Sequence, residues 1–126
     1  MNITNTALTV AGFDPSGGAG LQSDLKTFSA YGISGKSVAT SITIQNTMGV
    51  RNTYDIPCKV VEEQLSVIFE DGKPDAVKIG MLGNESIVET VVRLLRRHRT
   101  KNLVVDPVIR SSSGKLLLSA KGVEVL

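Results

Sequence analysis

The sequence contains no tryptophan, one cysteine and few aromatic residues, which make up only 4% of its 126 residues. A core built without large rings must rest mainly on Val, Ile, Leu and Ala. The single cysteine, Cys58, excludes an internal disulfide and leaves no C-x-x-C or zinc spacing. A reducing, cytoplasmic compartment is expected. Charge of one sign is also scarce. Fourteen Lys and Arg against 12 Asp and Glu leave +2, too little to argue for a nucleic-acid partner. No apolar run approaches a membrane span. Met1-Asn2-Ile3-Thr4-Asn5-Thr6 lacks the basic start and long apolar stretch of a signal peptide. What remains is 41% hydrophobic and 21% charged, the balance of one globular domain of ordinary size.

Apolar runs and helical periodicities alternate along the chain. Ala7 to Gly12 reads as a buried strand. The glycine-rich loop Phe13 to Gly18 follows, then a helix from Ala19 to about Tyr31, with Leu21, Leu25 and Phe28 on one face. Lys36 to Thr43 is a β-branched strand leading into Gln45-Asn46-Thr47. Val50 to Ile56 is extended, and Pro57 opens a helix over Cys58 to Glu70 with Val61, Leu65 and Ile68 as its stripe. Ala76 to Met81 is another strand. Asn84 caps a helix whose buried face is Ile87, Val88, Val91, Val92 and Leu95. Leu103-Val104-Val105 is the last buried strand, and Ser119 to Leu126 reads as a helix beginning. Alternating strands and helices predict a three-layer α/β fold, a parallel sheet with flanking helices and right-handed crossovers.

In open parallel sheets, ligands bind beyond the carboxyl ends of the strands. That rule nominates Gly12 to Gly20, Gln45 to Thr47, Gly80 to Leu82 and Asp106 to Arg110. The first loop is neither a Walker A motif nor G-x-G-x-x-G. Gly17, Gly18 and Gly20 are expected to permit positive φ or close ligand approach, and a simple tight turn is the other reading. Asp24 is either a solvated helix carboxylate or a ligand group. Gln45 ends a strand with an amide suited to the edge of an aminopyrimidine, or merely bonds nearby backbone. Asp106 before Pro107 either approaches a metal–phosphate group or caps a turn. Arg93, Arg96, Arg97, His98, Arg99 and Lys101 read as a solvated basic face at a helix C-terminus. Cys58 reads as structural.

The segment Ala7-Leu8-Thr9-Val10-Ala11-Gly12-Phe13-Asp14-Pro15-Ser16-Gly17-Gly18-Ala19-Gly20-Leu21-Gln22-Ser23-Asp24-Leu25-Lys26-Thr27-Phe28 resembles the opening of hydroxymethylpyrimidine/phosphomethylpyrimidine kinases. So do Gln45-Asn46-Thr47, Lys78-Ile79-Gly80-Met81-Leu82, and Val105-Asp106-Pro107-Val108 followed by Ser113-Gly114. These motifs occur in the family's order across nearly the whole chain.

The resemblance implies a ribokinase-like fold and a place in thiamine biosynthesis. It implies ATP- and magnesium-dependent phosphorylation of 4-amino-5-hydroxymethyl-2-methylpyrimidine, then of its monophosphate. It implies substrate contacts at Gly12, Ala19, Asp24, Gln45, Met81 and Val108, and places Asp106 near metal and phosphate. A homodimer is implied, with neither nucleic acid nor membrane as partner. Relatives run past Leu126, through an Asn-x-x-Glu motif and a G-T-G anion hole. Residues 1–126 are therefore expected to be the truncated N-terminal part of one ribokinase-like kinase domain, with no catalytic residue of its own and no turnover alone. Ile109-Arg110-Ser111 departs from the family's usual Met-Val-Ala-like run. A pyridoxal or pyridoxamine kinase is the alternative within the same superfamily. A pyrimidine-binding module that has lost catalysis is the alternative of another class.

Overall fold

The computed structural model describes residues 4–126. The first three residues of the segment read above as lacking a leader lie outside the described residues. The elements are β1 (Thr6–Phe13), α1 (Gly20–Ala30), β2 (Ser34–Asn46), β3 (Gly49–Asp55), α2 (Cys58–Asp71), β4 (Ala76–Ile79), α3 (Glu85–Arg97), β5 (Leu103–Val105) and α4 (Ala120–Val125). The sheet order is β3-β2-β1-β4-β5. β1 runs parallel to β2 and β4, and β4 parallel to β5.

The expectation of a wholly parallel sheet needs correction, because β3 runs antiparallel to β2. Only Thr47 and Met48 separate the Asn46–Gly49 pair. A parallel return requires a crossover of about a dozen residues or more, so a two-residue connection forces a hairpin. The sheet is therefore mixed at one edge.

Alternation along the strands divides the side chains between two faces. Leu8, Val10, Val38, Val77 and Ile79 join Val61, Leu65 and Phe69 of α2 and Ile87, Val88, Val91, Leu94 and Leu95 of α3 in one continuous core. The α2 stripe ends on Phe69, with Ile68 only partly buried against it. This is the i, i+4, i+8 row, one step round from the expected Ile68. In α3, Leu94 is buried and Val92 only partly so. The Asn84 side chain caps α3 by accepting from the Ile87 amide at 3.1 Å.

The opposite face carries α1, which packs on β1 and β2. Gly35 permits that approach, since a Cβ there would meet Leu25 at 2.7 Å and Phe28 at 3.2 Å. His98, at the end of α3, stacks flat on Phe69 with ring centroids 4.2 Å apart. Around it Arg93, Arg96, Arg97, Arg99 and Lys101 are exposed. No helix among the described residues is long and apolar enough to cross a membrane.

Among the described residues β5 bonds only to β4, and its outer edge is open. Its residues are nevertheless apolar, and Val104 is 64% exposed. Leu103 and Val105 border a groove of about 510 Å³ whose other walls include Ile79, Leu82, Val91 and Leu95. An apolar open edge is a template for pairing with another chain. Val104→Lys should raise the monomer fraction in sedimentation velocity while changing stability by less than about 0.5 kcal/mol, the usual range for an exposed site. Unchanged association would show that β5 is not the contact.

Candidate ligand site

Neighbouring β2 and β4 lie on opposite sides of β1, so the order in which the strands are laid down reverses at β1. A crevice forms beyond the carboxyl ends of strands at such a point. There the structure has a cavity of about 210 Å³. One wall is the β1–α1 loop, through Gly12, Asp14, Ala19 and Gly20. A second is the end of β2, through Thr43 and Gln45. The floor is Lys78, Gly80 and Met81 of and just after β4, and the far side is Val108 and Arg110. A more open depression of about 430 Å³ lies among Asn46, Met48, Arg51 and Lys115. It takes no wall from β1 or β4, so the switch point favours the smaller cavity.

The loop is organised by Asp14, which is 2% exposed. One carboxylate oxygen accepts from the Ser16 amide at 2.8 Å and its hydroxyl at 2.7 Å, and the other accepts from the Ala19 amide at 2.8 Å. The Asp14 amide donates to the Gln22 side chain at 2.9 Å, tying the loop to α1. Burial alone would raise the Asp14 pKa, but the hydrogen bonds from Ser16, Ala19 and Gly18 outweigh it and hold the pKa below its ordinary value.

Gly17 and Gly20 have positive φ, 74° and 62°. At Gly20 a Cβ would also fall on the Gly12 carbonyl oxygen. At Gly18 φ is not positive, which leaves close ligand approach as the expectation there, and a Cβ would meet nothing nearer than Ser16 Oγ at 3.8 Å. The requirement for glycine sits at Gly17 and Gly20.

At the β2 wall, Gln45 Nε2 donates to Thr43 Oγ1 at 2.5 Å, and Thr43 Oγ1 donates to the Phe13 carbonyl at 2.9 Å. The amide oxygen of Gln45 accepts no hydrogen bond among the described residues. Met81 is buried against Gly12, where a Cβ would meet its sulfur at 2.9 Å. Its carbonyl accepts from Thr40 Oγ1 at 2.6 Å. Gly12, Ala19, Gln45, Met81 and Val108 thus share one cavity.

Asp24 and Asp106 are not on its wall. Asp24 is a paired carboxylate facing Lys78 and Thr9. Asp106 is exposed at the end of β5, with its amide bonded to the Ile79 carbonyl at 2.9 Å. Asp14, Thr43 and Lys78 were not singled out from sequence. Asp14-Pro15-Ser16 before a helix carries a readable signal, an acidic side chain able to accept from the amide two residues on. Lys78, inside an apolar strand, carries none beyond being out of place.

A small cleft at the switch point of an α/β sheet is the place where domains of this class take small molecules. Known proteins narrow this class, and the chain belongs to the phosphomethylpyrimidine kinase family, whose model matches residues 14–126. It is 50% identical over 120 residues to a hydroxymethylpyrimidine/phosphomethylpyrimidine kinase of Aquifex aeolicus, covering 95% of this chain and 47% of that protein. It is 51% identical over 120 residues to the Salmonella typhimurium protein of the same description, covering 95% and 45%. The chain therefore spans about half the length of the curated relatives it matches. A crystal structure of phosphomethylpyrimidine kinase from Clostridium difficile superposes with a TM-score of 0.90 at 49% identity, over 98% of this chain and 53% of that one. A Bacillus subtilis pyridoxal kinase in complex with ADP is more distant, with a TM-score of 0.76 at 35% identity, over 82% and 41%. The fold is thus that of these kinases, with a mixed sheet.

Two expected outcomes follow from the loop. Gly20→Ala should lose more than about 1 kcal/mol of stability, because it combines a strained φ with a backbone clash, whereas Gly18→Ala should be close to neutral in the same thermal melts. Asp14 has a depressed folded-state pKa, so its contribution is fully present above the ordinary carboxylate range. That contribution disappears as pH falls through the folded value. Asp14→Asn should flatten this acid limb in a stability-versus-pH series; an unchanged limb would place the acid sensitivity elsewhere.

Proposed function

We propose that the cavity binds the aminopyrimidine substrate of a kinase. That kinase phosphorylates 4-amino-5-hydroxymethyl-2-methylpyrimidine, and then its monophosphate, at the expense of ATP. The observation that carries this reading is the amide of Gln45. Its nitrogen gives one hydrogen to Thr43, which leaves the second hydrogen and the oxygen as a donor–acceptor pair for a ligand. An acceptor at that place suits the exocyclic amine of an aminopyrimidine. Met81 and Val108 supply apolar contact to the ring, and Gly12 leaves room for it. Apart from Asp14 at the Ala19 amide, no side chain caps the start of α1 among the described residues, so the amides that follow favour an oxygen-rich substituent. Ala19 contributes by its position at that turn.

ATP enters this reading through the family. Magnesium usually keeps several waters and binds one or two carboxylates together with substrate phosphates. The described residues include no group of three or more potential metal-ligating side chains. Asp106, an exposed carboxylate at a strand end, fits as one such ligand, and the metal would neutralise phosphate charge there. The residues of this chain around the cavity bind and orient; none is assigned to catalysis.

The pyridoxal alternative has less support, since the pyridoxal kinases compared are less similar than the pyrimidine kinases. Calorimetry with the aminopyrimidine alcohol and with pyridoxal separates the two, and the alcohol should bind more tightly. Gln45→Ala should weaken alcohol binding by about 1–3 kcal/mol, the cost of a buried polar group left unpaired. Unchanged affinity would remove Gln45 from the site. Mass spectrometry with ATP and magnesium, on a protein carrying this chain at the full length of its relatives, distinguishes a kinase from a binding module without catalysis.

A further inference from the structure

The pair formed by Lys78 and Asp24 links the cavity floor to α1. Lys78 Nζ lies 2.9 Å and 3.1 Å from the two carboxylate oxygens of Asp24. Thr9 Oγ1 donates to the same carboxylate at 2.6 Å, and Thr9 and Lys78 are register partners on β1 and β4. Both charged side chains are mostly buried, with exposures of 25% for Lys78 and 18% for Asp24. The ammonium lies over the next residue of its own face, since a Cβ on Gly80 would meet Lys78 Nζ at 3.0 Å. Lys78 is on the cavity wall and Asp24 is not. The positive end of the pair therefore faces the ligand space, and its negative end faces the sheet and helix.

Such a pair is a poor stabilising device. Desolvation offsets most of its attraction, and well-packed apolar residues would serve the fold as well or better. An ammonium has three donors. Asp24 supplies the only acceptors recorded for it among the described residues, so a donor remains for something in the cavity. The other charges on the wall reinforce the same sign. Arg110 is a second cation, and Asp14 is the one carboxylate, with both oxygens already engaged by loop donors.

We propose that Lys78 is a specificity-determining residue that favours the phosphorylated over the neutral form of the ligand, and that Asp24 is a positioning residue acting through it. The inference rests on the aminopyrimidine reading and assigns the discrimination between its two ligands. Thr9 fixes the carboxylate, the carboxylate fixes the ammonium, and the ammonium donates to an anionic oxygen. Asp24 thereby influences a ligand from outside the cavity wall.

Calorimetry of the protein with the aminopyrimidine alcohol and its monophosphate tests this. Lys78→Met should weaken the monophosphate about tenfold or more, as expected for loss of a charge-assisted hydrogen bond, and the alcohol by less than about threefold. Asp24→Asn should shift the ratio of the two affinities in the same direction by a smaller factor. Added to Lys78→Met, it should shift the ratio no further. The double variant leaves no unpaired charge in the pair, so it reports the ratio even if a single variant fails to fold. An unchanged ratio, or equal losses on both ligands, would overturn the inference and leave the aminopyrimidine reading standing. Failure of the unaltered protein to bind either compound would remove that reading and the inference with it.

Discussion

The carboxylate of Asp14 is the constraint on which the rest of the site depends. A buried anion is tolerated only when hydrogen bonds replace its lost water. Here Ser16 and Ala19 supply them, and in doing so they fold the chain back from β1 into α1. The turn places Gly20 against the Gly12 carbonyl, an approach closed to any residue with a Cβ. Gln22 then holds the Asp14 amide from the first turn of α1. With both ends fixed, the rotation of α1 on the sheet is set. Asp24, two residues beyond Gln22, is aimed at Thr9 and Lys78. One polar loop thus orients groups on two strands and one helix.

The reversed edge strand has a related purpose. β2 is 13 residues long and β1 is 8. β1 pairs with β2 only as far as Ile42, and from Ser41 onward β2 is backed by β3. An unsupported strand end would leave its backbone groups to solvent and its side chains unfixed. Pairing with β3 keeps this extension extended, so that Thr43 and Gln45 stand beyond the sheet as a wall. The Ser113 hydroxyl approaches the Val50 amide at 3.4 Å, joining the hairpin to the loop after Arg110. The cavity is therefore enclosed by elements distant in sequence.

Much of the fold was legible because burial leaves a period in sequence. The strands at Leu8 and Val77 and most of the α2 and α3 stripes follow from apolar spacing, whereas Leu103, Val104 and Val105, read as buried, are exposed. The direction of β3 was missed because Gly49-Val50-Arg51-Asn52-Thr53-Tyr54-Asp55 is half-exposed and has no buried period. Its direction is encoded in the shortness of the turn before it. At the site, resemblance and strand-end logic both nominated Gln45 and Gly12, which the cavity brings together with Ala19, Met81 and Val108. They could not show what an ionisable residue pairs with. Asp24 read as solvated or ligand-facing, and the structure pairs it with a lysine 54 positions away. Pairings across such separations depend on strand register, which a single sequence does not display. Gly18 shows the same limit locally, because three glycines in one loop look alike until their φ angles are known.

The cavity's polar groups also constrain the chemistry available to it. Asp14 is the one carboxylate on its wall, and its oxygens hold the loop closed. For Asp14 to take a proton from a substrate hydroxyl, it would have to release Ser16 or Ala19, and its lowered pKa makes it a weak base. Gln45 and Thr43 do not titrate in the physiological range, and Lys78 is held by Asp24 as a hydrogen-bond donor. On the proposed reading, Gln45, Thr43 and Lys78 are suited to fixing a ligand's position and charge. Phosphoryl transfer depends largely on such positioning together with electrostatic stabilisation of the moving group. On the proposed reading, this half of the reaction geometry is what the β1–α1 loop and the strand ends provide: the acceptor is oriented by Gln45 and its charge is met by Lys78.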